Sequence, residues 1–255
     1  MAAASDRTLR RVAAATVDQI EQNIPLGGRV TPLMPASTAR DQCGQALFLL
    51  TDAMQTLDCP TNTRPGSLSE HLTDRQHAEQ AIRDVIRSVI GHDLAPTLAP
   101  QADRLVTDLR STLLTHALPA TVDSLFGTVR LVDYLRGVLI EAVATALRFR
   151  TEVLPQALTE TTRSLASVLG ERYPGSVIEV RVPPDAAVQL GAFGSGPSHT
   201  RGTPPNVAEM NPVTFVSLAT GLRTWQQERD GHRVSASGAQ VDAVALMLPV
   251  INLRR

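Results

Sequence analysis

Apolar residues repeat at steps of three and four through most of the first two-thirds of the chain, and this period restricts the fold more than any other feature. The repeat is clearest over residues 9–24 and 130–149. Such spacing lines one face of an α-helix. Loops rich in proline and glycine, over residues 25–37 and 60–66, separate the segments. Five or six helices joined in this way predict an up-and-down helical bundle.

Local signals place the ends of several of these helices. The third is expected to begin at Thr73, because Thr73 and Gln76 have the spacing of a capping box. Another helix is predicted over residues 101–117, and the last one of the bundle runs from Pro155 to Gly170.

The pattern then changes from a helical period to alternation. Residues 176–184 alternate between apolar and polar positions and end in two prolines, which predicts a strand. Residues 186–193 predict its antiparallel neighbour. Further along, Asn211 followed by Pro212 predicts a helix start, and Thr224 with Gln227 predicts the start of a second, short helix. Residues 232–238 predict another strand.

Together the two patterns predict the fold class α+β. A helical bundle is expected over residues 1–172 and a small α/β domain over residues 173–255. Hydrophobic residues make up 43% of the chain, which is enough for a core, and aromatic residues only 3%. The apolar mass therefore comes from Ala, Leu and Val, which favours helices over sheet sandwiches.

The charged residues and cysteines exclude several classes of function. All 24 basic residues are arginine, so chemistry that needs a Schiff-base or P-loop lysine is excluded. A net charge of −1 argues against a nucleic-acid partner. Cys43 and Cys59 lack the spacing of a metal or disulfide motif, which favours the reducing cytoplasm. No run of 18 apolar residues occurs, so stable membrane insertion is not expected.

Several C-terminal motifs are specific enough to suggest a relationship. They are RVPP at 181–184, SHTRGTPPNVAEMNP at 198–212 and SASG at 235–238. Together they resemble the bacterial sterol-carrier-protein orthologue family over essentially all of residues 173–250. The resemblance implies helices packed on a small sheet with an apolar pocket between them, and it implies no reaction.

Two N-terminal stretches, residues 37–47 and 127–149, resemble the DinB-type bundle of mycothiol-dependent maleylpyruvate isomerases. In that family the corresponding helices carry a His, Glu and His that bind a metal ion. In this chain those positions fall on Gln45, Glu141 and Thr145. Glutamine and threonine supply no donor comparable with imidazole. The resemblance therefore implies a bundle whose metal site has degenerated, and we expect neither a metal ion nor another cofactor.

Three residues near a Gly/Pro/Ser-rich stretch have two interpretations. Arg201 could bind a carboxylate or phosphate while His199 donates or accepts a hydrogen bond at a ligand mouth. Alternatively, these side chains and Asn206 satisfy the backbone of a long loop. Trp225, the only tryptophan, is a core residue or a pocket wall. The predicted ligand-binding residues are His199, Arg201, Asn206, Phe193, Phe215 and Trp225.

Two further sets also have alternatives. Glu141 is either a relic ligand or general base, or a carboxylate bonded to a neighbouring arginine or hydroxyl. Asp74 and His77 lie three residues apart, with His71 one turn before Asp74, but a metal site there would need another ligand from elsewhere in the fold.

Three functions follow from these observations. The first is a non-catalytic, cytoplasmic protein that binds a small apolar ligand or lipid in its sterol-carrier-like domain. The second is a metal- and mycothiol-dependent isomerase or transferase, which the replaced ligands oppose. The third is a scaffold or dimerisation module, and a homodimer is a possible assembly in that case.

Overall fold

The structure is a computed structural model, and it describes residues 2–25, 35–91, 95–115, 117–191 and 206–253. The chain divides into two compact units, Met1–Ala157 and Leu158–Arg255. Among the helices of the described residues, none combines the length and the apolarity needed to cross a membrane. As predicted, the chain is an α+β protein with a helical N-terminal part and a small C-terminal sheet.

Four long helices pack against one another in the N-terminal unit. Their apolar faces meet in a core that includes Ile20, Leu50, Leu109 and Leu135, each with almost no exposed surface. This is the arrangement expected when helical stripes of apolar residues face each other. The four helices are α1 (Ala2–Asn23), α2 (Ala36–Leu57), α5 (Ala95–Thr115) and α6 (Leu131–Phe149).

Two shorter helices, α3 (Leu68–His77) and α4 (Glu79–Ile90), occupy the segment where one helix was predicted. The predicted capping box at Thr73 and Gln76 is wrong. Ser67 accepts a hydrogen bond from the Glu70 backbone and Glu70 accepts one from the Ser67 backbone, so the box that starts α3 lies two turns earlier. The Thr73 hydroxyl instead donates to the Ser69 carbonyl at 2.9 Å. Both pairs have the same spacing, and only the end of the loop decides which one caps the helix.

A hairpin interrupts the helical part, and the sequence did not predict it. Its strands β1 (Thr121–Ser124) and β2 (Gly127–Arg130) pair antiparallel. Strands of four residues carry too little alternation to be read from sequence. Val122 and Val129 face each other in this pairing and are buried, which anchors the hairpin on the helices.

The C-terminal unit contains a four-stranded sheet in the order β4-β3-β5-β6. β4 and β5 flank β3, antiparallel and parallel to it respectively, and β6 is antiparallel to β5. The strands are β3 (Pro174–Val182), β4 (Ala186–Leu190), β5 (Asn206–Met210) and β6 (Val234–Ser237), and the helices are α7 (Pro155–Arg172), α8 (Pro212–Ala219), α9 (Trp225–Asp230) and α10 (Val244–Met247).

Helix α7 accounts for a difference between the predicted and the observed division of the chain. The boundary was expected near residue 172, whereas the compact units separate after Ala157. The Thr159 hydroxyl donates to Asp185 Oδ1 at 2.9 Å, and a Cβ at Gly170 would lie 2.6 Å from Val188 Cγ2. The helix therefore packs closely on the β3–β4 hairpin. A helical period shows that a helix forms, but not which unit it joins.

The helix starts predicted from capping residues in the C-terminal unit are confirmed. Asn211 caps α8 by accepting a hydrogen bond from the Thr214 backbone, and Pro212 occupies its first turn. Thr224 and Gln227 form the capping box of α9. Strand β5, however, was not predicted: the sequence analysis assigned no element to residues 206–210.

Candidate functional site

A buried ionic network links three helices of the N-terminal unit. Arg75 of α3 donates from Nε to Glu141 Oε1 on α6 and from Nη1 to Asp52 Oδ2 on α2, the latter at 3.3 Å. All three side chains are at most 2% exposed. The Arg75 guanidinium also lies 4.6 Å from the centre of the Phe126 ring. Burial lowers the pKa of Arg75, but the two carboxylates outweigh this and hold that pKa above its usual range.

Neutral side chains extend the network around the two carboxylates. Gln45 Nε2 donates to Glu141 Oε2 at 3.1 Å, so each oxygen of Glu141 accepts a hydrogen bond. The Tyr134 hydroxyl donates to Asp52 Oδ2 at 2.9 Å. Burial, reinforced by the charge of Asp52, raises the pKa of Tyr134 well above its usual value. Glu141 is thus a carboxylate bonded to an arginine, one of the two arrangements expected from the sequence.

These residues do not fit a divalent metal ion. Gln45 presents its amide N–H to Glu141, and that group cannot be a metal ligand. The buried guanidinium of Arg75 already compensates the carboxylate charge, and it would repel a second cation at this distance. Thr145 is buried one turn from Glu141 on α6, and its hydroxyl is a weak substitute for imidazole. Within the described part of the chain, no three His, Cys, Asp or Glu residues are placed to hold a metal ion.

His71 lies beside the network and is 2% exposed. Its ring packs edge-on against Phe126 and Tyr134, with 5.9 Å between centroids in both pairs. A Cβ at Gly137 would lie 3.1 Å from His71 Nε2, so the glycine allows the ring to approach α6. Burial and the charge of Arg75 lower the pKa of His71 to about 4, against the opposing effect of Glu141. The imidazole is therefore neutral at pH 7.

Both ring nitrogens of His71 are buried and have no hydrogen-bond partner among the residues that the structure describes. His71 also lines a cleft of about 460 Å³ between α3 and the β1–β2 hairpin. The sequence offered no signal for this, because it showed His71 only as one member of a loosely spaced His/Asp set. The described residues that line the cleft are Gly66, Ser67, Ser69, Glu70, His71, Thr73, Asp74, Phe126, Gly127 and Thr128.

The six predicted ligand-binding residues have different positions in the C-terminal unit. His199, Arg201 and Phe193 lie outside the described residues. Asn206 is buried, donates to the Val177 carbonyl at 2.9 Å and accepts from the Gln240 backbone at 2.8 Å. Its amide thus connects β5 to neighbouring backbone, which is the structural alternative considered above. Phe215 is fully buried in α8.

Trp225, another of the predicted ligand-binding residues, lines a groove formed by described residues. It begins α9, is 8% exposed, and donates from Nε1 to Asp242 Oδ1 at 2.9 Å. Trp225 lines a groove of about 250 Å³, and a more open depression of about 640 Å³ also includes Trp225 and Ala245. The residues around the smaller groove are Leu218, Gly221, Arg223, Thr224, Trp225, Ala245, Leu248, Pro249 and Asn252.

Comparison with known proteins returns both relationships expected from the sequence. A family model described as bacterial SCP ortholog matches residues 155–250. The C-terminal segment is similar to that family. The match begins at the first residue of α7, in agreement with the observed division of the chain rather than with a boundary near residue 172.

One similar solved structure is that of a mutant of the mycothiol-dependent maleylpyruvate isomerase. It is 13% identical, with 91% of each chain covered and a TM-score of 0.42. A similarity at this level carries no argument about function. No curated protein matches the sequence.

Proposed function

We propose that the C-terminal unit binds a small apolar ligand in the groove at Trp225 and that the chain is non-catalytic. The groove carries this proposal. Leu218, Leu248 and Pro249 give it apolar walls beside the indole, as is usual in small-molecule sites. The similarity of residues 155–250 to bacterial SCP orthologs supports a carrier role for this unit.

The size and charge of the groove suggest a class of ligand. A volume of about 250 Å³ corresponds to roughly eight water-sized groups at about 30 Å³ each. The Arg223 side chain is 55% exposed, and its Nε is 3.9 Å from Glu228 Oε1. Glu228 is also bonded to Arg233, so the charge of Arg223 is only partly compensated and can attract a carboxylate. A medium-chain fatty acid matches both features.

Intrinsic fluorescence tests the proposal directly, because Trp225 is the only tryptophan of the chain. Titration with decanoate is expected to give a saturable change in emission. An Ala245→Phe variant fills the groove and is expected to abolish that change. The matched control is Ala187→Phe, at an exposed position on β4 outside the groove, and it should respond like the parent. A parent protein without a saturable response, or equal responses from both variants, would refute binding at this groove.

The alternatives expected from the sequence have weaker support. A metal-dependent isomerase would need a metal site where Arg75 and Gln45 engage Glu141, and stoichiometric zinc in an elemental analysis would revive it. For a dimerisation module, the described residues offer large exposed hydrophobics such as Leu246 and Leu125, and isolated residues of this kind are normal on monomers. The molar mass from light scattering tests whether the protein forms the homodimer that this alternative predicts.

The cytoplasmic location belongs to the same proposal. Cys43 and Cys59 are both free thiols, and unpaired cysteines fit a reducing compartment.

A further inference from the structure

Glu228 of α9 is a buried carboxylate within reach of two arginines, one of which lines the groove at Trp225. Its side chain is 3% exposed. Both of its oxygens accept hydrogen bonds from Arg233, Oε2 from Nε and Oε1 from Nη2, the latter at 3.2 Å. Arg223 Nε lies 3.9 Å from the same Oε1, which is beyond hydrogen-bond distance. Glu228 is therefore bonded to Arg233 and interacts only weakly with Arg223.

The turn after α9 holds Arg233 against Glu228. His232 has a φ of 55°, in the left-handed region that residues other than glycine rarely adopt. The Arg233 backbone N–H donates to the Glu228 carbonyl at 2.9 Å. The guanidinium lies across Gly231, where a Cβ would be 2.6 Å from Arg233 Cζ. A costly backbone conformation persists only where the surrounding structure determines it, so the pairing of Arg233 with Glu228 is built into this turn.

The pairing decides which arginine is left for a ligand. Among the described residues that line the groove, Arg223 alone has a charged side chain, and Glu228 and Arg233 are not part of that lining. The three residues carry a net charge of +1. If Arg233 were neutral, the sum would be zero, and Arg223 would be the nearest arginine left to compensate the buried carboxylate. An arginine bonded to Glu228 would have fewer donors to offer to a second carboxylate.

We infer that Arg233 is a positioning residue that makes the groove selective for an anionic ligand. By engaging both oxygens of Glu228, it leaves the guanidinium of Arg223 available to the carboxylate of that ligand. The inference rests on the function proposed above and adds a determinant of specificity that lies outside the groove. A neutral ligand of the same length gains nothing from the charge of Arg223, so the selectivity is measured by the ratio of two affinities.

Decanoate and 1-decanol, titrated against the fluorescence of Trp225 in the full chain, give this ratio. Arg233→Gln is expected to weaken decanoate binding about three- to fivefold, because Arg223 must first leave Glu228, and to leave decanol binding unchanged. The matched control is Arg181→Gln, which removes an arginine bonded to Glu179 on β3, outside the groove, and should not change the ratio. If Arg233→Gln weakens both ligands equally, Arg233 only supports the fold and the inference is wrong.

Substitution of the carboxylate tests the same idea in the opposite direction. Glu228→Gln releases Arg223 and is expected to raise the affinity for decanoate relative to decanol about two- to threefold. Adding Arg233→Gln restores the net charge of +1 and should return the ratio close to that of the parent. An unchanged or lower ratio in Glu228→Gln would overturn the inference.

The same titrations separate this inference from the function on which it rests. A parent protein that gives no saturable response to either ligand refutes binding at the groove, and the inference with it. A parent that binds decanoate, but whose ratio is the same in Arg233→Gln, refutes the role of Arg233 and leaves the groove as a binding site.

Discussion

Removing Arg75 should turn the buried network of the N-terminal unit into a metal site, provided that histidines are supplied. From the sequence alone, the missing ligands are the two histidines at Gln45 and Thr145. The structure adds Arg75, whose guanidinium binds Glu141 in the core. We therefore expect Gln45→His with Thr145→His to bind Zn²⁺ only weakly, and the triple variant that also carries Arg75→Met to bind it much more tightly.

The size of the difference follows from the burial of the network. Arg75, Asp52 and Glu141 are almost completely buried, and breaking a buried ion pair by removing one partner costs about 3–5 kcal/mol. In the double variant zinc must displace Arg75 from Glu141 at a comparable cost. Since about 1.4 kcal/mol is a factor of ten, this weakens binding by roughly two to four powers of ten. In the triple variant the Arg75–Glu141 ion pair is already absent before zinc binds, so binding does not have to break it.

Calorimetric titration with Zn²⁺ measures both affinities, and urea unfolding without metal measures the cost of the substitution. Arg75→Met alone is the control: it should lose about 3–5 kcal/mol of unfolding free energy and gain no tight zinc affinity, because Asp52 and Glu141 without the added histidines supply too few ligands for the ion. If the double variant binds zinc as tightly as the triple variant, Arg75 does not compete with the metal and the reasoning fails.

Three further predictions concern stability. The parent protein should keep its melting temperature in EDTA, as differential scanning fluorimetry can check, and a drop of several degrees would reveal a structural metal. The depressed pKa of His71, about 4 against its usual 6.5, means that the unfolded chain takes up the proton more readily. The stabilisation of the folded state by the neutral ring is therefore fully present above pH 6.5 and is lost as the pH falls towards 4. The free energy of unfolding decreases by at most about 3 kcal/mol over this range. Urea unfolding at pH 7 and pH 5 should show this loss in the parent and less of it in His71→Asn. Gly170→Ala should destabilise the C-terminal unit by about 1–3 kcal/mol, because the new Cβ would lie 2.6 Å from Val188 Cγ2. Adding Val188→Ala should recover most of this lost stability in thermal unfolding. If stability is not recovered, the contact with Val188 is not the cause of the loss.

The parts of the fold that the sequence predicted are those set by local patterns. The long helices α1, α2, α5 and α6 follow the apolar period, and the caps of α8 and α9 follow their polar residues. The resemblance also placed Gln45 and Glu141 at the same degenerate metal site, which implies that they lie close together. The structure joins them by a hydrogen bond of 3.1 Å. Each of these depends on a few neighbouring residues or on one family pattern.

The network around Arg75 and the cleft at His71 were missed for one physical reason. Helix α3, with the sequence LSEHLTDRQH, has only two leucines among ten residues, so its composition does not predict that His71 and Arg75 are buried. What covers them is the β1–β2 hairpin, whose Phe126 lies against both side chains. That hairpin was itself unpredicted, because its strands are four residues long. Nothing local distinguishes Arg75 from the other arginines of the chain; the distinction is made by a neighbour that lies 51 positions further along the sequence.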